Sequence, residues 1–126
     1  PTLNTDLMDI FLSCCDGTLN LTNINFSKTK SVCVVLCSKG YPIEFKNNIE
    51  IKDLEKLKIL KNQNIFHAGT LKTKNGFISN GGRVLNFVST SDDFLKCREE
   101  TINLIKKLNW KNGYFRRDIG YKVIKI

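Results

Sequence analysis

The stretch Asn80-Gly81-Gly82-Arg83-Val84-Leu85-Asn86-Phe87-Val88, with the run that follows it from Ser91 to Leu108, decides how this chain folds. Two glycines bend the backbone, and the β-branched, apolar and aromatic residues from Arg83 to Val88 then read as a strand. From about Asp92 to Leu108, the residues Phe94, Thr101, Ile102, Ile105 and Leu108 predict a helix with one buried stripe. Ser91 is placed to cap its first amides, and Asp92 and Asp93 sit at the positive end of its dipole. Lys106 and Lys107 lie at the negative end, with Asn109 as the expected stop.

Outward from this strand and helix, Ser31-Val-Cys-Val-Val-Leu-Cys-Ser38 reads as another strand and Lys39-Gly40-Tyr41-Pro42 as a turn. Ile49 and Ile51 suggest a short strand, and Ile65 to Leu71 one more. Asn75-Gly76 signals a hairpin, because both turn positions favour positive φ. Tyr114 to Gly120 reads as a last hairpin-like segment leading into a strand over Tyr121 to Ile126. At the other end, Leu3, Leu7, Ile10, Phe11 and Cys14 recur at helical spacing within Thr2 to Cys15, with Asp16-Gly17 as the stop. The expected class is α+β: a mostly antiparallel sheet, one long covering helix near 92–108, and an N-terminal helix.

The 126 residues are one domain by length. No apolar run approaches the ~20 residues that a membrane-spanning helix needs, so a soluble globular domain without a membrane partner is expected. The net charge of +8 comes from 16 lysines and only 4 arginines, beside 14 asparagines and 13 isoleucines. Lysines spread along the chain in that company are what AT-rich coding places on a solvated surface, and they do not form a nucleic-acid-binding arm. The rival reading is a basic RNA- or oligonucleotide-binding β module, which needs exposed aromatics interleaved with arginine on one sheet face. Phe66, Phe77, Phe87 and Phe94 sit in apolar runs and are expected in the core instead. The start at Pro1 inside a helical pattern reads as a cut from something larger.

Cys14, Cys15, Cys33, Cys37 and Cys97 are odd in number and lack the spacing of a secreted disulfide scaffold. Cys33 and Cys37 stand four residues apart on one strand face, about 13 Å, too far for one tetrahedral zinc. The cysteines read as small core hydrophobes in a reducing cytosol.

No catalytic set is complete within the chain. His67 is the only histidine, mid-strand, and its plain reading is a hydrogen-bonded structural residue. Asn80-Gly81-Gly82-Arg83 offers exposed amides followed by a guanidinium, which suits a phosphate or carboxylate, although two glycines and a solvated arginine make a turn equally well. In Arg116-Arg117-Asp118 at most one arginine faces a given site, and an ion pair with the acid is the simple alternative. Residues alone support an anion-binding edge and go no further.

Taken in order, Val34-Val-Leu-Cys-Ser-Lys-Gly-Tyr-Pro42, Phe66-His-Ala-Gly-Thr70, Asn80-Gly-Gly-Arg-Val-Leu85 and Tyr114-Phe-Arg-Arg-Asp-Ile-Gly120 resemble the C-terminal domain of the phosphoribosylamine–glycine ligase family, ATP-grasp enzymes of purine biosynthesis. The resemblance spans essentially the whole chain. It implies a hybrid-motif-like domain over 18–126, with residues 1–17 closing the preceding ATP-grasp region, in a cytoplasmic ligase that joins glycine to 5-phosphoribosylamine. ATP and magnesium or manganese would be held by the remainder of the same chain, and this part would be inactive alone, with no catalytic or metal-ligating residue of its own. The resemblance also places Arg83, Gly81 and Gly82 near the phosphate of phosphoribosylamine, supported by Asn80. It makes His67, Gly69, Thr70, Arg116 and Arg117 further residues of the cleft.

Overall fold

In the computed structural model, which describes residues 1–124, the strand β6 (Arg83–Ser91) lies in the middle of the core. It carries the most buried set in the chain: Val84, Leu85 and Phe87 expose nothing to solvent. β1 (Lys30–Ser38) runs antiparallel to it, paired from Lys30↔Ser91 to Leu36↔Leu85. The register then slips, so that Cys37 faces Arg83 and Val84 becomes the extra residue of a β-bulge. β3 (Gln63–His67) flanks β6 on its other side, and β7 (Gly113–Tyr114) joins the far edge of β1, for the order β3-β6-β1-β7. A smaller sheet combines β2 (Glu50–Ile51), β5 (Gly76–Ser79) and β4 (Thr70–Thr73) in the order β2-β5-β4. All of these pairings are antiparallel.

Strand alternation sorts the two faces of the larger sheet. Val32, Val34 and Leu36 stand beside Ser89, Phe87 and Leu85, and this face is covered by α2 (Phe94–Leu108) through Cys97, Thr101, Leu104, Ile105 and Leu108. Thr101 Oγ1 donates back to the Cys97 carbonyl at 2.8 Å, so its hydroxyl enters the core with a partner. α2 therefore covers the sheet as expected, with Cys97 and Leu104 fully inside the stripe and Phe94 and Ile102 only half-buried. Its cap is Asp93, not Ser91: the carboxylate accepts from Lys96 N at 2.8 Å, and Asn109 closes the far end in the left-handed region at φ 48°. Asp93→Ala should lower stability by about 1 kcal/mol, the usual worth of such a cap. A urea midpoint equal to that of the natural chain would show that the cap contributes nothing.

Several expectations are corrected. The stretch Ile65 to Leu71 is two strands in two sheets, because Ala68-Gly69 turns the chain from β3 into β4. The hairpin at Asn75-Gly76 forms, but only Gly76 takes positive φ, 120°. After the two-residue β7, the segment from Phe115 onward leaves the sheet, and α3 (Tyr121–Ile124) stands where a strand was expected. The final two residues of that expected strand, Lys125 and Ile126, lie outside the described residues. The cause is on α2: Arg98 donates from Nε to the Ile119 carbonyl at 2.9 Å and from its terminal nitrogen to the Arg117 carbonyl, tying the segment to the helix. Gly120, at φ 78°, then starts the last helical turn.

The N-terminal helix α1 spans Leu7–Cys15, shorter than the pattern from Thr2, because Asp6 caps Met8 N at 2.7 Å and Leu3 bridges to Phe26 instead. No α1 residue is buried, and Leu7, Met8, Phe11 and Leu12 are each more than half exposed. The cysteines are corrected too. Only Cys97 is buried; Cys14, Cys15 and Cys33 are exposed and Cys37 is half-buried. The reason for Cys33 and Cys37 is parity, since their neighbours Val32, Val34 and Leu36 take the covered face.

Candidate functional site

The face of the larger sheet opposite α2 carries Cys33, Val35 and Cys37 of β1 and their partners Val88, Asn86 and Arg83 of β6. At its glycine-rich end lies an open groove of about 600 Å³, lined by Val35, Tyr41, Ala68, Gly69, Gly82, Arg83 and Asn86. Three chain segments build it. The bulge sets Arg83 at the start of β6, the turn after β1 brings in Tyr41, and the corner between β3 and β4 supplies Ala68 and Gly69.

Close backbone approach holds these segments together. Gly69 N donates to the Arg83 carbonyl at 2.8 Å, Ala68 N to the Val84 carbonyl at 3.0 Å, and Asn80 N to the Gly69 carbonyl at 2.8 Å. On the other side Ser38 reaches the same corner twice, through its N to Gly82 O at 2.8 Å and its buried hydroxyl to Gly81 O at 2.9 Å. At Gly69 the contact is backbone to backbone, and a Cβ there would lie 2.7 Å from the Arg83 carbonyl oxygen. A Cβ on Gly82 would sit 2.0 Å from the Tyr41 ring, so the ring lies directly on that glycine.

The polar groups left over point to an anion. The carbonyls of Gly81 and Gly82 are taken by Ser38, while among the described residues neither of their N–H groups has an acceptor. Arg83 is exposed and forms no ion pair with any described acid. Unpaired amides beside a free guanidinium give directional donors and a fixed positive charge, the equipment for a phosphate or carboxylate. Burial pushes the Cys37 thiol up while Arg83 pulls it the other way, and the rise prevails, so the thiol stays neutral and leaves the arginine as the charge of the groove.

The structure thus brings Asn80, Gly81, Gly82, Arg83 and Gly69 together. His67 and Thr70 flank the corner and bond each other, Nδ1 to Oγ1 at 2.8 Å, with the imidazole 4.5 Å from the Phe77 ring. His67 ends β3 and is not mid-strand. Arg116 and Arg117 do not line the groove. Arg116 is spent on Asp118, to which it donates from Nε at 3.1 Å and from its terminal nitrogen at 2.6 Å; that bond lowers the Asp118 carboxyl and raises Arg116. Arg117 lies in a separate depression with Arg98, Glu99, Ile102, Asn103 and Lys106 of α2. Tyr41 and Asn86 are groove residues that sequence reasoning missed. The signal for Asn86 was present, a lone amide within Val84-Leu-Asn-Phe-Val88; Tyr41 had none beyond its turn. Phe66 is half exposed on the open face, beside Asn86 in register, and not in the core.

Among the described residues no three His, Cys, Asp or Glu side chains converge as ligands of a metal would. Nor is any helix among them long and apolar enough to cross a membrane.

Residues 31–122 match the family described as phosphoribosylglycinamide synthetase, C domain. The chain is 33% identical over 125 residues to the chloroplastic phosphoribosylamine–glycine ligase of Arabidopsis thaliana, an alignment covering 98% of this chain and 24% of that protein. It is 34% identical over 125 residues to the bifunctional purine biosynthetic protein purD of Dictyostelium discoideum, covering 98% of this chain and 15% of the other. A crystal structure of phosphoribosylamine–glycine ligase from Thermotoga maritima superposes with a TM-score of 0.61 at 24% identity, over 86% of this chain and 27% of that one, which supports the α+β fold. The chain spans less than a third of the length of these relatives. With the matched segment running from β1 through the groove to α3, the chain belongs to the family of phosphoribosylglycinamide synthetase C domains.

Proposed function

We propose that this chain is the C-terminal part of a phosphoribosylamine–glycine ligase and forms one wall of its substrate cleft. Arg83 and the amides of Gly81 and Gly82 receive the phosphate of 5-phosphoribosylamine, with Asn80 beside them. The observation that carries this reading is that Gly82 and Arg83 line one groove beside Gly81, and that among the described residues the two glycine N–H groups have no acceptor and the guanidinium no acid. In the reaction, ATP phosphorylates the glycine carboxylate and leaves as ADP, and the amine of phosphoribosylamine then displaces the acyl phosphate, giving glycinamide ribonucleotide and inorganic phosphate. Such chemistry depends on placing an amine against an acyl phosphate, so a fixed seat for the remote phosphate contributes by orientation. The nucleotide and its metal belong to the remainder of the same chain, residues 1–17 belong with the ATP-grasp part, and the whole works in the cytoplasm.

The test is Arg83→Ala in the intact ligase. Loss of one charge-assisted phosphate contact, roughly 1.5–3 kcal/mol, should raise the KM for phosphoribosylamine roughly 10- to 100-fold and leave the KM for ATP unchanged. Equal KM values for phosphoribosylamine in the two proteins would return Arg83 to the surface. Phe66, exposed on the same face as Arg83, favours a second reading as a single-stranded RNA module, since stacking plus cations is how such strands are held. Tight RNA binding that weakens steeply with salt would support it over the ligase reading.

A further inference from the structure

Asn86 has no place in the phosphate seat, yet its side chain lies in the same groove. It is half-buried, between Val35 on β1 and Phe66 on β3, and its amide has no hydrogen-bond partner among the described residues. The amide opens onto the groove with both its donor and its acceptor free for a ligand. Along β6 it is three residues from Arg83, roughly 10 Å at strand rise. Tyr41, with its ring on Gly82, lines the same groove. The groove is therefore bipolar, with positive charge and free amides at one end, a neutral donor–acceptor at the other and an aromatic wall alongside.

We infer that Asn86 is a specificity-determining residue that recognises the hydroxyl-bearing sugar of a sugar monophosphate, with Tyr41 as the wall that keeps the sugar over it. The inference rests on the proposed phosphate seat at Arg83 and adds what lies at the other end of the ligand. Inorganic phosphate is too short to engage both ends. A bisphosphate would set its second charge against an uncharged amide between Val35 and Phe66, with no second guanidinium in the groove to receive it.

The experiment compares inhibition of the intact ligase by ribose 5-phosphate and by inorganic phosphate, each in competition with phosphoribosylamine. Asn86→Leu should raise the inhibition constant of ribose 5-phosphate about 10-fold, the value of one to two neutral hydrogen bonds, and leave that of inorganic phosphate unchanged. Asn86→Asp, which keeps the shape and adds a negative charge, should weaken both. Arg83→Ala should weaken both as well. Unaltered ribose 5-phosphate inhibition in Asn86→Leu, with the Arg83→Ala effect intact, would overturn the role of Asn86 and leave the phosphate seat standing. Unaltered inhibition in Arg83→Ala would overturn the seat itself. Thermal melts of each variant separate these outcomes from unfolding, and should the leucine variant fail to fold, Asn86→Ala decides the matter by the same comparison: weaker ribose 5-phosphate with unchanged inorganic phosphate supports the role, and both unchanged overturns it.

Discussion

Phe87→Ala is expected to remove about 3–5 kcal/mol of stability, the range for deleting a fully buried aromatic ring. Phe87 exposes none of its surface, pairs with Val34 on one side and Ile65 on the other, and lies in the same core cluster as Leu104 of α2. The substitution leaves a void where three strands and the helix meet, and backbone hydrogen bonding on both sides of β6 limits how far the site can collapse into it. Domains of this size are held by about 5–15 kcal/mol, so one such loss consumes a large share. Urea unfolding followed by circular dichroism gives the measurement. Phe66→Ala, one sheet face away, is the internal comparison and should cost about 1 kcal/mol or less, because half of that ring is already in solvent. Similar losses for the two would mean that the covered and open faces have been assigned wrongly.

That contrast marks where sequence reasoning succeeded and where it stopped. β6 and α2 were legible because their signals are local: a bend at two glycines, a dense apolar run, an acid at the helix start, an asparagine at its end. Which face of a strand is covered is not local. Cys33, Cys37 and Phe66 have the hydrophobicity of core residues and take the open face by parity alone, once Val34 and Leu36 meet the helix. The split of Ile65 to Leu71 was hidden because Ala68 acts through its bond to Val84 and Gly69 through contact with Arg83 and Gly81, residues far along the chain. The C-terminal helical turn was hidden for a similar reason, since its segment is tied down by Arg98, which sequence places on a helix surface. Of the site, the glycine corner and Arg83 were visible as chemistry. Arg116 and Arg117 were grouped with them by motif, and the Arg116–Asp118 pair together with the Arg98 clasp keeps both out of the groove.

Gly69→Ala should be the most damaging single methyl group that can be added to the site. An ideal Cβ there would lie 2.7 Å from the Arg83 carbonyl oxygen, 3.0 Å from Gly81 Cα and 3.1 Å from the Asn80 carbonyl oxygen. All three are backbone atoms, so no side chain can swing away to make room, in contrast with Gly82, where the Tyr41 ring is the obstacle. Relief requires the β3–β4 corner to part from the start of β6, breaking the bond from Gly69 N to Arg83 O and the return bond from Asn80 N to Gly69 O. Overpacking of this kind costs about 1–3 kcal/mol, and each lost backbone bond adds about 1 kcal/mol. The functional loss should exceed the loss of stability, because Gly81, Gly82 and Arg83 all move when that corner opens. A displacement near 1 Å of a positioning group is worth roughly 100-fold, so on the proposed reading kcat/KM of the intact ligase for phosphoribosylamine should fall by about that factor in protein that is still folded at assay temperature. Gly76→Ala supplies the control: it also replaces a glycine in the β4–β5 hairpin, but nothing lies within 4 Å of its Cβ position and it is remote from the groove. That variant should lose some stability through its φ of 120° and, in the intact ligase, retain the natural KM for phosphoribosylamine. Natural kinetics in Gly69→Ala would mean that the glycine corner is only a turn, and that the groove above it is not where the substrate lies.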